Sequence, residues 1–269
     1  METLSLAHVI LYLLVGVASG LAAGLMGVGG GLVNVPGLYY GFRLAGYPTE
    51  HCFKMALGTS LAIIVITSAS SARTHRNNGN LIPRVSLIAG FWGIAGAFAA
   101  SLTAINLSDS ILKKAFAILL LLAAYKIFTR KKKESEGANE MQTQWWRLAI
   151  IGIASGILAG FFGIGGGLMG VPLFMLWARI PPHKAVGSSA GMVVILAAFG
   201  ALGYLISSPG VLLPYSLGYV NFPAWISVAC SSIIAAHFGA VLAAKSSPKV
   251  LSIIFGIGLL AVAAKMIFS

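Results

Sequence analysis

Gly16-Val17-Ala18-Ser19-Gly20 opens a run that continues through Gly24, Gly27, Gly29, Gly30 and Gly31 to Pro36. Gly152-Ile153-Ala154-Ser155-Gly156 opens a second, through Gly160, Gly163, Gly165, Gly166 and Gly167 to Pro172. Each position of the second run lies 136 residues beyond its counterpart in the first. Between each triplet and its proline the chain stays apolar, apart from Asn34. Glycine at this density lets backbones approach closely and lets the chain leave helical geometry. Each run therefore predicts a helix, a break at the glycine triplet and a short helix restarting near its proline. Proline suits a first helical turn, where its missing N–H would have no intrahelical partner anyway. In lipid such a break is tolerated only where protein or a water-filled cavity surrounds it.

Composition makes lipid the solvent. Hydrophobic residues are 58% of the 269 and charged residues 9%, against about 25% charged in an ordinary soluble domain. The class is an all-α polytopic membrane protein, with the bilayer as its first partner. Met1 to His8 contain no Lys or Arg, so the positive region of a cleavable signal is missing and the first apolar run reads as a retained membrane segment. In a soluble chain a net charge of +12 would suggest nucleic acid. Here the basic residues fall mostly in loops between apolar runs, where they orient the helices, and no nucleic-acid partner is expected. Cys52 and Cys230 have no metal spacing and read as small buried side chains; no metal or other cofactor is expected.

Apolar segments fall at about 5–28, 33–42, 55–72, 82–104 and 109–128, and again at about 147–164, 170–178, 185–206, 222–243 and 248–268. Between the two series runs Thr129-Arg130-Lys131-Lys132-Lys133-Glu134-Ser135-Glu136-Gly137. Pro83 matches Pro223, Gly58-Thr59-Ser60 matches Gly187-Ser188-Ser189, and Leu112, Phe116 and Lys126 match Leu251, Phe255 and Lys265. The chain therefore divides into a first transmembrane repeat at 1–128, a charged linker at 129–146 and a second repeat at 147–269.

Segments 33–42 and 170–178 are half the ~20 residues needed to span. Each can return with the preceding helix as a re-entrant hairpin, or complete a short tilted span. In both cases a half crosses an odd number of times and the halves are inverted. If the first helix spans and the short segment adds no crossing, the halves are parallel. Loop charge separates these arrangements. With the linker in the cytoplasm, inverted halves leave only Arg43, Lys54, Lys113, Lys114 and Lys265 outside, so the 18 basic residues divide thirteen to five. Parallel halves divide them ten to eight. The positive-inside bias favours inversion. The expected fold is two inverted-topology repeats, each a Gly-rich broken helix or re-entrant hairpin followed by three spanning helices, with both termini outside.

Paired broken helices in inverted repeats are a recurrent plan for secondary transporters, with the substrate near the bilayer midplane. The N–H groups that start a half-helix, together with its dipole, favour an anion. Candidate donors run from Gly29, Gly30 and Gly31 to Asn34, and from Gly165, Gly166 and Gly167 to Gly170. The same glycines would also serve for tight helix packing alone.

The stretches Gly24-Leu25-Met26-Gly27-Val28-Gly29-Gly30-Gly31 with Pro36, and Gly160-Phe161-Phe162-Gly163-Ile164-Gly165-Gly166-Gly167 with Pro172, resemble the doubled signature of the TauE/SafE family. The Gly58-Thr59-Ser60 and Gly187-Ser188-Ser189 pair and Gly218-Tyr219-Val220-Asn221 are similar to that family too. The resemblance covers nearly the whole chain. It implies a permease of the bacterial inner membrane for sulfite, sulfonates or related small sulfur-containing anions, without fixing which one.

The polar candidates follow. Thr59, Ser60, Ser188 and Ser189 can bond back to their own helix or donate to a ligand; hydroxyls and N–H groups suit the acceptor oxygens of a sulfo group. Asn34 can enlarge a pocket's polarity or cap its half-helix. Lys54 and His183 are equivalent and can draw anions to two entrances, or be loop charges at the headgroups. His237 stands inside an apolar run, a functional hypothesis for any intramembrane ionisable group, or a neutral histidine bonded between helices. Glu2, Glu50, Asp109, Glu134, Glu136 and Glu140 all lie in loops or at helix ends. Transport is then expected to be uncoupled or coupled through histidine. An interior-negative potential adds about 2.3 kcal/mol per charge per 100 mV, which favours export of an anion.

An intramembrane enzyme would need a nucleophile–base set or metal ligands; there is no HExxH and no aspartate pair, and the GxG elements lack the strand and acidic residue of a dinucleotide fold. No enzyme is expected. A small-anion channel, or a transporter of a non-sulfur organic anion, would use the same breaks. The sequence leaves open a homo-oligomer.

Overall fold

The computed structural model describes residues 6–26, 30–128, 141–245 and 248–268. The charged stretch 129–140, Gly29 and the side chain of His237 lie outside the described residues. The regular structure of the described chain is all-helical apart from one hairpin of two two-residue strands. The first half holds α1 (Leu6–Met26), α2 (Gly31–Leu44), α3 (Thr49–Asn77), α4 (Pro83–Asn106) and α5 (Asp109–Phe128). The second holds α6 (Trp145–Phe162), α7 (Gly167–Leu176), α8 (Pro182–Ile206), α9 (Phe222–Lys245) and α10 (Pro248–Phe268), with β1 (Ser216–Leu217) and β2 (Val220–Asn221) ahead of α9.

Among the described residues α1, α3, α4, α6 and α8 are long and apolar enough to cross a membrane. The molecule is thus a multi-pass membrane protein. Leu14, Phe91 and Leu122 are exposed, as lipid-facing side chains must be. Cys52 is buried as expected, but Cys230 is exposed: it sits on a part of α9 that no other helix covers, and a small apolar side chain is at home against lipid.

The short helices begin earlier than expected. Each starts at the third glycine of its triplet, Gly31 or Gly167, so Pro36 and Pro172 fall inside the helix instead of in its first turn. Each proline withholds an N–H from the carbonyl four residues back, Leu32 or Leu168. α4 and α9 do start as their prolines predict, at Pro83 and one residue before Pro223.

Helices pack most closely where glycine removes the side chain. α1 lies along α9, with Gly16 against Val228 and Gly20 against Ser232 and Ala235. α4 lies along α6 in the same manner, with Gly152 against Ala89, Gly156 against Gly93 and Gly160 against Ala97. Both pairs advance in the same chain direction. α3 and α8 cross in opposite directions: Gly58 meets Tyr204 and Gly200 meets Leu61, while Gly187, at the start of α8, meets His75 at the end of α3 and Asn80 just beyond it.

Candidate functional site

The second break is built by glycine backbone. α6 ends at Phe162, and Gly163 (φ 65) donates its N–H to the Ala159 carbonyl at 2.9 Å. Gly165 (φ 72) and Gly166 (φ 78) are also left-handed. An L side chain would cost about 1–2 kcal/mol at each such position, so three glycines in four residues turn the chain without strain. In the first break Gly30 is right-handed, with φ −70.

The start of α2 touches the second break. A Cβ on Gly31 would lie 2.7 Å from the Ile164 Cα. One on Gly163 would lie 2.9 Å from the Leu57 Cα on α3. The Ser60 hydroxyl donates to the Gly163 carbonyl at 2.7 Å, fixing α3 to the break.

Beside the first turns of α2 and α7, three buried side chains have polar atoms without partners. On α2, both the Nδ2 and Oδ1 of Asn34 are unpaired, and the side chain is 1% exposed. It folds back on the break: a Cβ on Gly30 would lie 3.4 Å from its Nδ2. Beside α7, the Ser155 and Ser189 hydroxyls are unpaired and buried. They converge on Gly170, whose Cβ would lie 2.9 Å from the Ser189 Oγ and 3.5 Å from the Ser155 Oγ. Gly170 is the sequence counterpart of Asn34, so glycine leaves room on one side where the other side carries an amide. Unpaired buried polar atoms are uncommon in native structures and cost about 1–3 kcal/mol each.

The expected backbone donors divide. The N–H groups of Val33 and Asn34 bond to the Gly30 carbonyl, and those of Met169 and Gly170 to the Gly166 carbonyl. These are committed to the first helical turn. Gly167 and Leu168, first in α7, have no intrahelical acceptor.

The duplicated hydroxyl pairs also divide. Thr59 Oγ1 accepts the Asn221 N–H at 3.0 Å, and Ser188 Oγ accepts the Ile82 N–H at 3.1 Å. In each half the first hydroxyl thus holds the backbone entering a long helix of the same pseudo-equivalent kind, α9 or α4. Ser60 and Ser189 are the inner pair, one bonded and one unpaired. Gly187-Ser188-Ser189-Ala190-Gly191 also has the G-x-S-x-G spacing of a hydrolase nucleophile. That motif requires a strand–turn–helix elbow, and here the five residues lie within continuous α8.

Lys54 and His183 stand at opposite ends of the α3–α8 crossing. Lys54 is half-buried near Asp109, and His183 is exposed near His75. Asp109 accepts the Phe53 N–H at 2.8 Å, joining α5 to the start of α3. No charged side chain is fully buried among the described residues; the buried polar set is serine, threonine and asparagine. Tyr47 and Asn221 join the turn between α2 and α3 to the segment ahead of α9. Tyr47 donates to the Pro214 carbonyl at 3.0 Å and accepts from Asn221 Nδ2 at 2.9 Å. Burial pushes the Tyr47 phenol above its ordinary range, opposed by the Asn221 hydrogen bond, so it stays a neutral donor.

Ser155 is a candidate that sequence reading passed over. Its signal was present, since Ser19 and Ser155 repeat at the same spacing as the glycines. Ser19, however, donates to the Gly16 carbonyl at 3.1 Å, so only one of the pair is unpaired.

A family model described as sulfite exporter TauE/SafE matches residues 12–266. The chain belongs to the TauE/SafE family. TauE/SafE membership agrees with the doubled glycine signature and with the all-helical fold. A probable membrane transporter protein of Haemophilus influenzae is 35% identical over 260 residues, covering 96% of this chain and 97% of its own. One from Methanocaldococcus jannaschii is 30% identical over 244 residues, covering 90% and 89%. One from Bacillus subtilis is 30% identical over 190 residues, covering 69% and 73%. These relatives of the TauE/SafE chain are named as transporters and not as enzymes.

Proposed function

We propose that the protein is a permease that moves small sulfur-containing anions, such as sulfite or a sulfonate, across the bacterial inner membrane. The anion binds between the two glycine breaks, and the interior-negative potential favours its export. The observation that carries this reading is the contact of Gly31 with Ile164, with an unpaired amide at Asn34 in the first turn of α2 and two unpaired hydroxyls, Ser155 and Ser189, beside Gly170 in the first turn of α7. Both hydroxyls and the amide Nδ2 can donate, as can the N–H groups that open α7, and such groups suit acceptor oxygens.

In this reading the repeats are inverted. The opposite directions of α3 and α8, equivalent helices of the two halves, support it, as does the division of basic residues. The 129–146 linker then faces the cytoplasm and both termini lie outside. Lys54 and His183 lie at the two mouths.

The test is binding of purified protein to sulfite, sulfate, thiosulfate, small sulfonates and their carboxylate isosteres, read by thermal shift and then calorimetry. Stabilisation by a sulfur anion, lost in Ser155→Ala and Ser189→Ala, is the expected result. A response confined to carboxylates would move the substrate class away from sulfur. No response from any anion would remove the proposed site.

A further inference from the structure

We propose that the anion is held by the second half alone: one per chain, on the Ser155 and Ser189 hydroxyls beside the start of α7, with Gly170 as the position that makes room for it. The inference rests on the reading of the protein as an anion permease.

Three pairs of equivalent positions carry it, and all differ between the halves in the same sense. Ser19 donates to the Gly16 carbonyl at 3.1 Å, whereas its counterpart Ser155 is fully buried and unpaired. Ser60 donates to the Gly163 carbonyl at 2.7 Å, whereas its counterpart Ser189 is 2% exposed and unpaired. The fourth residue of each short helix is Asn34 in α2 and Gly170 in α7. The first half thus commits its hydroxyls to backbone and carries an amide at this position. The second leaves two donors without acceptors beside a residue that has no side chain.

The geometry suits a small ligand. A Cβ on Gly170 would lie 2.9 Å from Ser189 Oγ and 3.5 Å from Ser155 Oγ, so both hydroxyls are within reach of one small oxyanion. Ser155 also borders the N-cap of α7, since a Cβ on Gly166 would meet the Ser155 carbonyl. The hydroxyls therefore stand beside the positive end of that helix's dipole, which favours an anion. The remaining neighbour of Gly170 is the terminal methyl of Met192, the far end of a flexible side chain that can turn aside for a ligand. A ligand oxygen relieves the cost of burying each hydroxyl unpaired. Asn34 stays with its own half, its Nδ2 folded towards Gly30.

The experiment is calorimetry of the full-length purified protein with sulfite and with methanesulfonate, alongside flux of both in proteoliposomes. One anion per chain is expected. Ser155→Ala and Ser189→Ala are each expected to weaken binding about tenfold, the effect of one hydrogen bond to a charged group. Ser19→Ala, at the equivalent place in the first half, is expected to leave it unchanged. Gly170→Ala sets a methyl group among the ligand's contacts and is expected to weaken binding at least as much as Ser189→Ala, while Asn34→Ala costs less than either serine variant. Two anions per wild-type chain, or a loss in Asn34→Ala as large as in Ser189→Ala, spreads binding over both halves and overturns the inference while the permease stands. Full affinity in both serine variants assigns the two hydroxyls to a bridging water, with the same consequence. Absence of binding and of flux for both anions overturns the permease and the inference with it.

Discussion

Ser60 donates its hydroxyl to the Gly163 carbonyl at 2.7 Å, joining α3 of the first half to the glycine break of the second. Ser189, its counterpart by sequence, is 2% exposed and has no partner. One duplicated position has therefore become a fastening and the other an unfilled hydrogen-bonding group. Ser60→Ala should lower stability by about 0.6–1.7 kcal/mol, the range for an interhelical hydrogen bond in a membrane. Ser189→Ala should leave stability within about 0.5 kcal/mol and weaken anion binding. Unfolding in mixed micelles and calorimetry separate the two; equal stability losses would show that Ser189 is structural as well.

The outer hydroxyls should behave alike in the two halves. Thr59→Val strands the Asn221 N–H, and Ser188→Ala strands the Ile82 N–H. Each should cost about 1–2 kcal/mol with little change in anion affinity in the protein that remains folded. A selective loss of affinity in Ser188→Ala would move that hydroxyl into the site.

Close helix packing gives a sharper contrast. A Cβ at Gly156 would meet the Gly93 carbonyl and the Ala97 N of α4, which are backbone and cannot rotate away. Gly156→Ala should cost about 1–3 kcal/mol or more. Gly258→Ala, with nothing within 4 Å, should gain roughly 0.5–1 kcal/mol from helix propensity. Thermal unfolding of the two variants side by side checks both signs.

Asn221 caps α9 through its Oδ1, which accepts the Ala224 N–H at 3.0 Å, while its Nδ2 holds Tyr47 and Ser216. Asn221→Ala should cost about 1–2 kcal/mol, as loss of a helix cap does. Asn221→Asp keeps the cap acceptor and removes the donors. Hydrogen exchange in the hairpin 216–221 should therefore rise in both variants, and at the start of α9 only in Asn221→Ala.

The positions of all ten helices were legible in the sequence because apolar length and glycine spacing are local properties. The second break was legible for the same reason, because glycine lets the chain leave helical geometry. The starts of α2 and α7 were misplaced by several residues, since a proline can sit inside a helix when the carbonyl it leaves is accommodated, and sequence does not show that; α3 runs Thr49–Asn77 where 55–72 was expected, because its polar ends carry no apolar signal. The site residues were legible only as types. Spacing placed Thr59, Ser60, Ser188 and Ser189 on equal terms, whereas hydrogen-bond geometry binds Thr59, Ser60 and Ser188 to backbone groups and leaves Ser189 unpaired.

By itself, the sequence determined that this chain lives in lipid, that it is written twice and where its helices break. Those follow from hydrophobicity, repetition and the conformational freedom of glycine, all of which reside in the residues themselves. Only the tertiary structure decided that Gly31 meets Ile164, that Asn34 and Ser155 are buried without partners, and that repeated serines have different neighbours. Whether a polar atom finds a partner depends on what another helix brings within about 3 Å of it, and no residue carries that information alone.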